Sequence, residues 1–319
     1  MVNEIGKNVE NDIAKNQEIY ERYMNDGYVQ PVSSTSALAS SSRWLNHYYV
    51  REWIQRECLR RNGLDLPGTY GIPELNRAIE DIQDGEKISA MLDEAAADWP
   101  ELAQFLSDRY MSYWTTEDLR KCPEGSFGNM VFRHYDKYGY DNKMSSIAFP
   151  VRNHYEYFRR RKTEIHDFMH ILTGAGFDYI GEAMPNMIHF GSFYKYFKPE
   201  LAMELCSSNM LLFWPYLFRT SLNYGEGFPW VWDLMDKGYR IGQQSGPYFL
   251  KRIEDYLDLP VEEVRAKLEI KGAYDLDFEE WKRRSDIVME GGQTKTEKMA
   301  LERRERARLD EKLLTAAAE

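Results

Sequence analysis

After Pro199 the chain runs through Leu201, Leu205, Met210, Leu211, Leu212, Phe213, Trp214, Leu217 and Phe218 without a glycine. Proline at a first helical position is a start signal, and the side chains that follow are apolar all round the helix they predict. Such a helix has to be surrounded by other elements, which makes it the central helix of a bundle. A second reading gives one of its sides to a long apolar ligand. Met184, Met187, Phe190 and Phe193 would then add to the wall, because methionine and aromatic side chains adapt to an irregular apolar surface. Met210 to Phe218 is the longest near-apolar run, and it is too short to span a bilayer.

The covering elements also read as helices. Val9, Ile13, Tyr20 and Met24 recur near helical spacing over residues 8 to 25, and a serine-rich stretch, 33 to 42, reads as a linker. Arg43 to Arg61 places Trp44, Tyr48, Ile54 and Cys58 on one side and ends at Asn62-Gly63. Short helices are expected over Pro73 to Gln83, Lys87 to Ala97 and Pro100 to Tyr110, then a turn opened by Thr115 with Asp118 three residues on. Residues 126 to 138 are aromatic and basic, with Phe127, Phe132 and Tyr135. Tyr179 to Phe197 should be helical with a kink or restart at Pro185, followed by a helix over 228 to 243 and a last core helix from Pro260. Strand signals are nearly absent; Ile147-Ala148-Phe149 before Pro150 is one brief extended piece. The expected fold is all-α, a multi-helix orthogonal or bundle-like core with an apolar ligand groove.

Charge and cysteines narrow the function classes. The 319 residues carry a formal net charge of −11, which argues against a nucleic-acid partner, since phosphate contacts need clustered Lys and Arg. It also disfavours simple attraction to an anionic bilayer, while leaving room for a local peripheral contact. Cys58, Cys122 and Cys206 are odd in number and form no CxxC, as fits a reducing compartment. The first twenty residues include Glu4, Glu10 and Asp12 and show no secretory or transit pattern, so a cytoplasmic location is expected.

The chemistry concentrates in HYEYFRRRKTEIHDFMHILTGAGFDYIGE, His154 to Glu182. A helix up to Gly174 puts His166 and His170 on one face, one turn apart, with Asp167 three residues before His170. Two neutral imidazoles so spaced can close on one divalent cation and leave positions for carboxylate, water or substrate. Gly174-Ala175-Gly176 is a C-cap signal, after which the chain can return with Glu182. The other reading is a solvated or core histidine pair.

HDxxH followed by eleven residues and Glu resembles the motif of the fourth Coq protein family of ubiquinone (coenzyme Q) biosynthesis. CPEGSFGNMVFRHYDKYG (122 to 139) is similar to that family's Pro-Glu-Gly/Thr-Phe-Gly segment, and Glu164 to Asp167 continuing to Leu172-Thr173-Gly174 resembles the approach to its metal. GYRIGQQSGPYFLKRIEDYLDLPVEEVRAKLEI (238 to 270) resembles its glycine-rich turn and closing helix. The resemblance covers roughly 73 to 270, a helical metal-binding domain between an N-terminal helical extension with linker, 1 to 72, and a charged helical tail, 271 to 319. It implies that His166, Asp167, His170 and Glu182 bind zinc, iron or manganese. It further implies a lyase-type step on a prenylated benzoquinone precursor, oxidative decarboxylation of the ring.

Glu164 is the candidate for orienting an imidazole, and Arg161 aligns with an arginine of the family. The run Arg159-Arg160-Arg161-Lys162 reads either as a contact for carboxylate, phosphate or lipid head groups or as a solvated helix face. This chain departs from the family at Lys162 and Thr163, and at Asn186 and His189, which stand where lysine and a second carboxylate are usual. His189, two turns beyond Glu182, is a candidate ligand or neighbour of a ligand, against a core histidine. The departures fit a divergent, bacterial-type member acting on another prenyl or isoprenoid-like substrate. Expected partners are that apolar small molecule, quinone-biosynthesis enzymes, a second copy in a homodimer, and the inner membrane face. The alternative to an enzyme is a non-catalytic lipid-binding scaffold. A metallohydrolase is a weaker third, since its HExxH needs Glu where Asp167 stands.

Overall fold

The order of elements follows from local start and stop signals. In the computed structural model the described residues are 40–61, 72–112, 114–138, 151–177, 180–274 and 278–288, with 302, 305–306 and 308–309. The helix expected over 8–25, the extended piece at 147–149, and most of the serine-rich and charged-tail stretches lie outside them. Among the described residues every regular element is helical.

Helices α1 (Arg43–Asn46) and α2 (Tyr48–Leu59) replace the single helix expected there, divided at His47. Helices α3 (Ile72–Ile82), α4 (Gly85–Ala97) and α5 (Pro100–Asp108) follow. Asp84 caps α4 by accepting from the Lys87 amide at 3.0 Å. A reciprocal Thr115–Asp118 capping box opens α6 (Thr116–Lys121), and α7 (Phe127–Tyr138) comes next. Helix α8 (His154–Glu164) leads through Ile165 into α9 (His166–Thr173). Then come α10 (Ala183–Tyr196), α11 (Pro199–Asn223) and α12 (Phe228–Gln244). Two 3-10 turns, Tyr248–Leu250 and Ile253–Tyr256, precede α13 (Val261–Lys267) and α14 (Phe278–Val288).

Helix α10 begins later than expected and Pro185 does not break it. As the third helical residue it lacks only an N–H that the first turn would leave unpaired. The helix expected over 228 to 243 is α12, and inside it Gly238 and Gly242, from the stretch that resembles a glycine-rich turn, lack the side chains that would keep α10 from backbone contact. A Cβ on Gly242 would lie 2.3 Å from the Ile188 carbonyl, and one on Gly191 2.1 Å from that of Tyr239.

Helix α11 is covered on two sides, not all round. Leu201, Leu205, Phe213 and Leu217 enter the main core, whereas Leu211 joins Trp44, Val50, Trp53, Leu75 and Ile79 in a second cluster under α1–α3. The Trp53 indole donates to the Leu211 carbonyl at 2.9 Å, and Arg219 pairs with the buried Glu57 carboxylate at 3.0 Å. A third side stays open, with Trp214, Phe218 and Leu222 at 42, 54 and 62% exposure. Met184 and Phe193 are fully buried in the main core, and Met187 and Phe190 pack against the same core half-buried. Among the described residues no helix is long and apolar enough to cross a membrane.

Candidate metal centre

The site is built where α8 and α9 meet α10. The helix through His154 to Thr173 is interrupted only at Ile165 (φ −90°, ψ −2°), so Lys162, His166 and His170 still follow at four-residue spacing. Gly174 ends α9 in the left-handed region at φ +81°, and the Ala175 amide caps back to the His170 carbonyl at 2.8 Å. No other residue fits there, because a Cβ would lie 1.6 Å from the Tyr274 carbonyl. The chain then returns and delivers Glu182 at the N-cap of α10.

Both imidazoles meet that carboxylate. His166 Nε2 is 3.0 Å from Glu182 Oε2, and His170 Nε2 is 3.6 Å from Oε1. Ligand atoms of His166, Asp167 and His170 all lie within 4.8 Å of one another. His170 Nδ1 is 2.7 Å from the Gly176 carbonyl, which can only accept. Nδ1 therefore carries a hydrogen, and Nε2 is the nitrogen that faces Glu182 and that the neutral ring would offer to a cation. Phe177 stacks on the His170 ring at 4.5 Å. The Tyr135 hydroxyl, from α7, donates to Asp167 Oδ2 and fixes that carboxylate.

Exposure grades across the site: the side chains of His170, His166 and Glu182 are 1, 27 and 34% exposed. Burial pushes the Glu182 carboxyl up, but His170 and then His166 outweigh it and hold the group well below the usual carboxylate range. Burial likewise works against charge on His166, and Glu182 followed by Asp167 overcomes it, so the imidazole titrates above its ordinary value. Two nitrogens and two carboxylates without sulfur, with one imidazole anchored from behind by a carbonyl, fit a zinc, iron or manganese ion.

The remaining sequence candidates are elsewhere or deeper. Glu164 is turned away from the imidazoles into an arginine network, 2.6 Å from Arg160 Nε and 2.8 Å from Arg161 Nη1. Arg161 also holds Glu254 at 2.8 Å. The run Arg159 to Lys162 is neither a solvated face nor an open cationic patch, since all four residues are buried. Because α8 packs on several sides, the three arginines meet carboxylates while Lys162 meets neutral acceptors. Lys162 Nζ donates to the Leu205 carbonyl at 3.0 Å, Ser208 Oγ at 2.7 Å and Asn209 Oδ1 at 2.8 Å. From Asn209 the chain of bonds passes to Asn186 (2.9 Å) and on to the Glu182 carbonyl (2.7 Å). His189 lies fully buried beyond Asn186 and outside the group that can close on a cation. Tyr135, Phe177 and the Gly176 carbonyl were not singled out as site groups by sequence. Only the aromatic character of 126 to 138 pointed to Tyr135.

No curated protein matches the sequence. The crystal structure of a protein provisionally named for ubiquinone biosynthesis, from Nostoc punctiforme, is similar at 20% identity and a TM-score of 0.47, over 72% of this chain and 99% of that one. The sequence profile of coenzyme Q (ubiquinone) biosynthesis protein Coq4 matches residues 110–273, just over half the chain and a span that contains the whole cluster. The chain therefore belongs to the Coq4 family of coenzyme Q biosynthesis.

Proposed function

We propose that this protein is a metal-dependent enzyme acting on a prenylated benzoquinone precursor or a related isoprenoid-like substrate, by oxidative decarboxylation of its ring. The observation that carries the reading is the convergence of His166 and His170 on Glu182, with the His170 tautomer set by the Gly176 carbonyl. His166, Asp167, His170 and Glu182 would hold the cation, and Tyr135 would keep Asp167 oriented. The cation supplies Lewis-acid stabilisation of negative charge on the substrate as carbon dioxide leaves. A ring carboxylic acid plus water gives a phenol, carbon dioxide, two protons and two electrons, so an oxidant such as dioxygen is required. That requirement favours iron or manganese over zinc. The deep imidazole of His170, walled by Phe177, keeps water from one side of the site.

The open side of α11, with Trp214, Phe218 and Leu222, favours a second reading: a scaffold that holds a lipid-like intermediate or docks on the inner membrane face beside partner enzymes. Metal content by mass spectrometry, on protein purified without a metal-binding tag, separates the two. The enzyme predicts about one equivalent of iron, manganese or zinc, lost together with turnover in His170→Ala. A protein that takes up none of the three and binds its lipid equally well in His170→Ala is the scaffold.

A further inference from the structure

Two consecutive residues of α7 reach the metal centre by different routes. Successive side chains on a helix point about 100° apart, so His134 and Tyr135 serve different groups. Tyr135 turns inward and donates to Asp167 Oδ2. His134 lies face to face with Phe177 of the loop between α9 and α10, the ring centroids 3.4 Å apart and the planes 16° from parallel. Phe177 also stacks on the His170 imidazole, at 4.5 Å and 18°. Two rings at those distances cannot share one face of a phenyl group without overlapping. Phe177 is therefore the middle ring of a stack that begins on α7 and ends on a candidate ligand.

The stack supplies what the hydrogen bond to His170 leaves undone. The Gly176 carbonyl, 2.7 Å from Nδ1, fixes one edge of the imidazole, and Nε2 faces Glu182 Oε1 at 3.6 Å. A ring held at Nδ1 alone can still roll about that bond, and the roll carries Nε2 off line. A contact on the ring face opposes the roll, and Phe177 makes it. Phe177 is itself half-buried. A phenyl side chain in that position can change rotamer unless its outer face is covered, and His134 covers it. Both contacts are through ring faces, so the support sets orientation and leaves the His170 hydrogen bond in place.

We propose that His134 is a positioning residue of the metal centre, acting through the Phe177 ring to keep His170 Nε2 aimed at the cation. The inference rests on the metal-dependent reading above, because it assigns a support to one of the ligands that reading names. Neither His134 nor Phe177 belongs to the group that can close on a cation, so the effect is on the orientation of His170 and through it on affinity. With Tyr135 bonded to Asp167, the stack makes α7 the common support of two ligands carried by α9.

The test uses the full-length protein and competition with a chelator, with zinc, iron(II) and manganese(II) tried in turn as the probe. His134→Ala uncovers Phe177 and should weaken binding of the metal about 10-fold. His134→Phe keeps a flat ring on Phe177 and should return the affinity to within about 3-fold of wild type. Phe177→Leu should cost at least as much as His134→Ala, and adding His134→Ala to it should cost nothing more, since residues that act through one another are not additive. A purely structural role would not move the His170 signal. In metal-free protein with labelled histidines, the carbon-bound ring protons of His170 lie over the Phe177 face and should resonate upfield of their ordinary position. That shift should be lost in His134→Ala and kept in His134→Phe. If the variants fail to fold, the wild-type spectrum decides, because a His170 signal at its ordinary position overturns the inference. Unchanged affinity in His134→Ala, an equal loss in His134→Phe, a further loss in the double variant, or a His170 signal indifferent to His134 also overturns it alone. Wild type that binds none of the three metals overturns the functional reading and the inference with it.

Discussion

Arg161 and Lys162 are neighbours on one turn of α8, both cationic and both buried, yet the protein treats them in opposite ways. Arg161 lies between two carboxylates, Glu164 at 2.8 Å and Glu254 at 2.8 and 3.0 Å, with Ser112 at 2.7 Å and the Tyr110 ring beneath it. Burial works against its charge, but Glu254 and then Glu164 outweigh that and raise its pKa further. Lys162 faces α11 and finds neutral acceptors there; burial, aided by Arg159, brings its ammonium down to about 8, against a smaller opposing influence of Cys206. The difference teaches what each is for. Arg161 ties α8 to the 3-10 turn at Ile253–Tyr256, whereas Lys162 keeps an uncancelled charge beside His166 and His189.

Removing each partner breaks the comparison at a different strength. Arg161→Leu strands Glu254 in the interior, leaves Glu164 to Arg160 alone, and should cost about 3–5 kcal/mol, read as a large loss in urea-unfolding free energy or as failure to accumulate folded protein. The lysine leaves a signature in pH. Its folded pKa of about 8 lies below the ordinary 10.5, so between those values the unfolded chain holds a proton that the folded chain has released. Stability should therefore rise with pH across that window, by about 3 kcal/mol in full, and be flat below it. Urea midpoints at pH 7 to 10 that move in parallel for wild type and Lys162→Met would refute this. At the metal end the comparison becomes one between a charged and a neutral partner. Asp167 is held by the Tyr135 hydroxyl, and Tyr135→Phe should weaken metal binding by about 10- to 100-fold with the fold intact, measured by competition with a chelator. The smallest effect is for Lys162→Met at pH 7. There the relieved charge offsets the lost hydrogen bonds, and the unfolding free energy should change by no more than about 1 kcal/mol.

Much of the fold was legible because its signals are local. Pro199, the Thr115–Asp118 capping box and Gly174 each act within a turn of their own position, and the structure places helix ends at all three. The cluster was legible for a similar reason: a four-residue histidine spacing needs only that the helix continue, and Ile165 interrupts it without changing the face. Where the sequence misled, the deciding contacts come from far along the chain. Glu164 looked available to an imidazole because Glu254, its competitor for Arg161, lies ninety residues on. The basic run looked solvated because nothing in its own pattern shows that α11 covers it. Pro185 looked like a break because its place within a helix depends on where that helix begins. The apolar segment after Pro199 looked fully enclosed, but hydrophobic pattern alone does not reveal that the helices packed on α11, among them α2, α10 and α12, leave Trp214, Phe218 and Leu222 exposed.

The contact of α10 with α12 through Gly191 and Gly242 sets what can move. Where backbone meets backbone there are no side chains to change rotamer, so the two helices must separate or travel together. Glu182, Asn186 and His189 are thereby graduations on a stiff ruler whose spacing is constant. Any shift of α10 along its axis must carry α12 with it, so Glu182 moves relative to His166 and His170 only when both helices do.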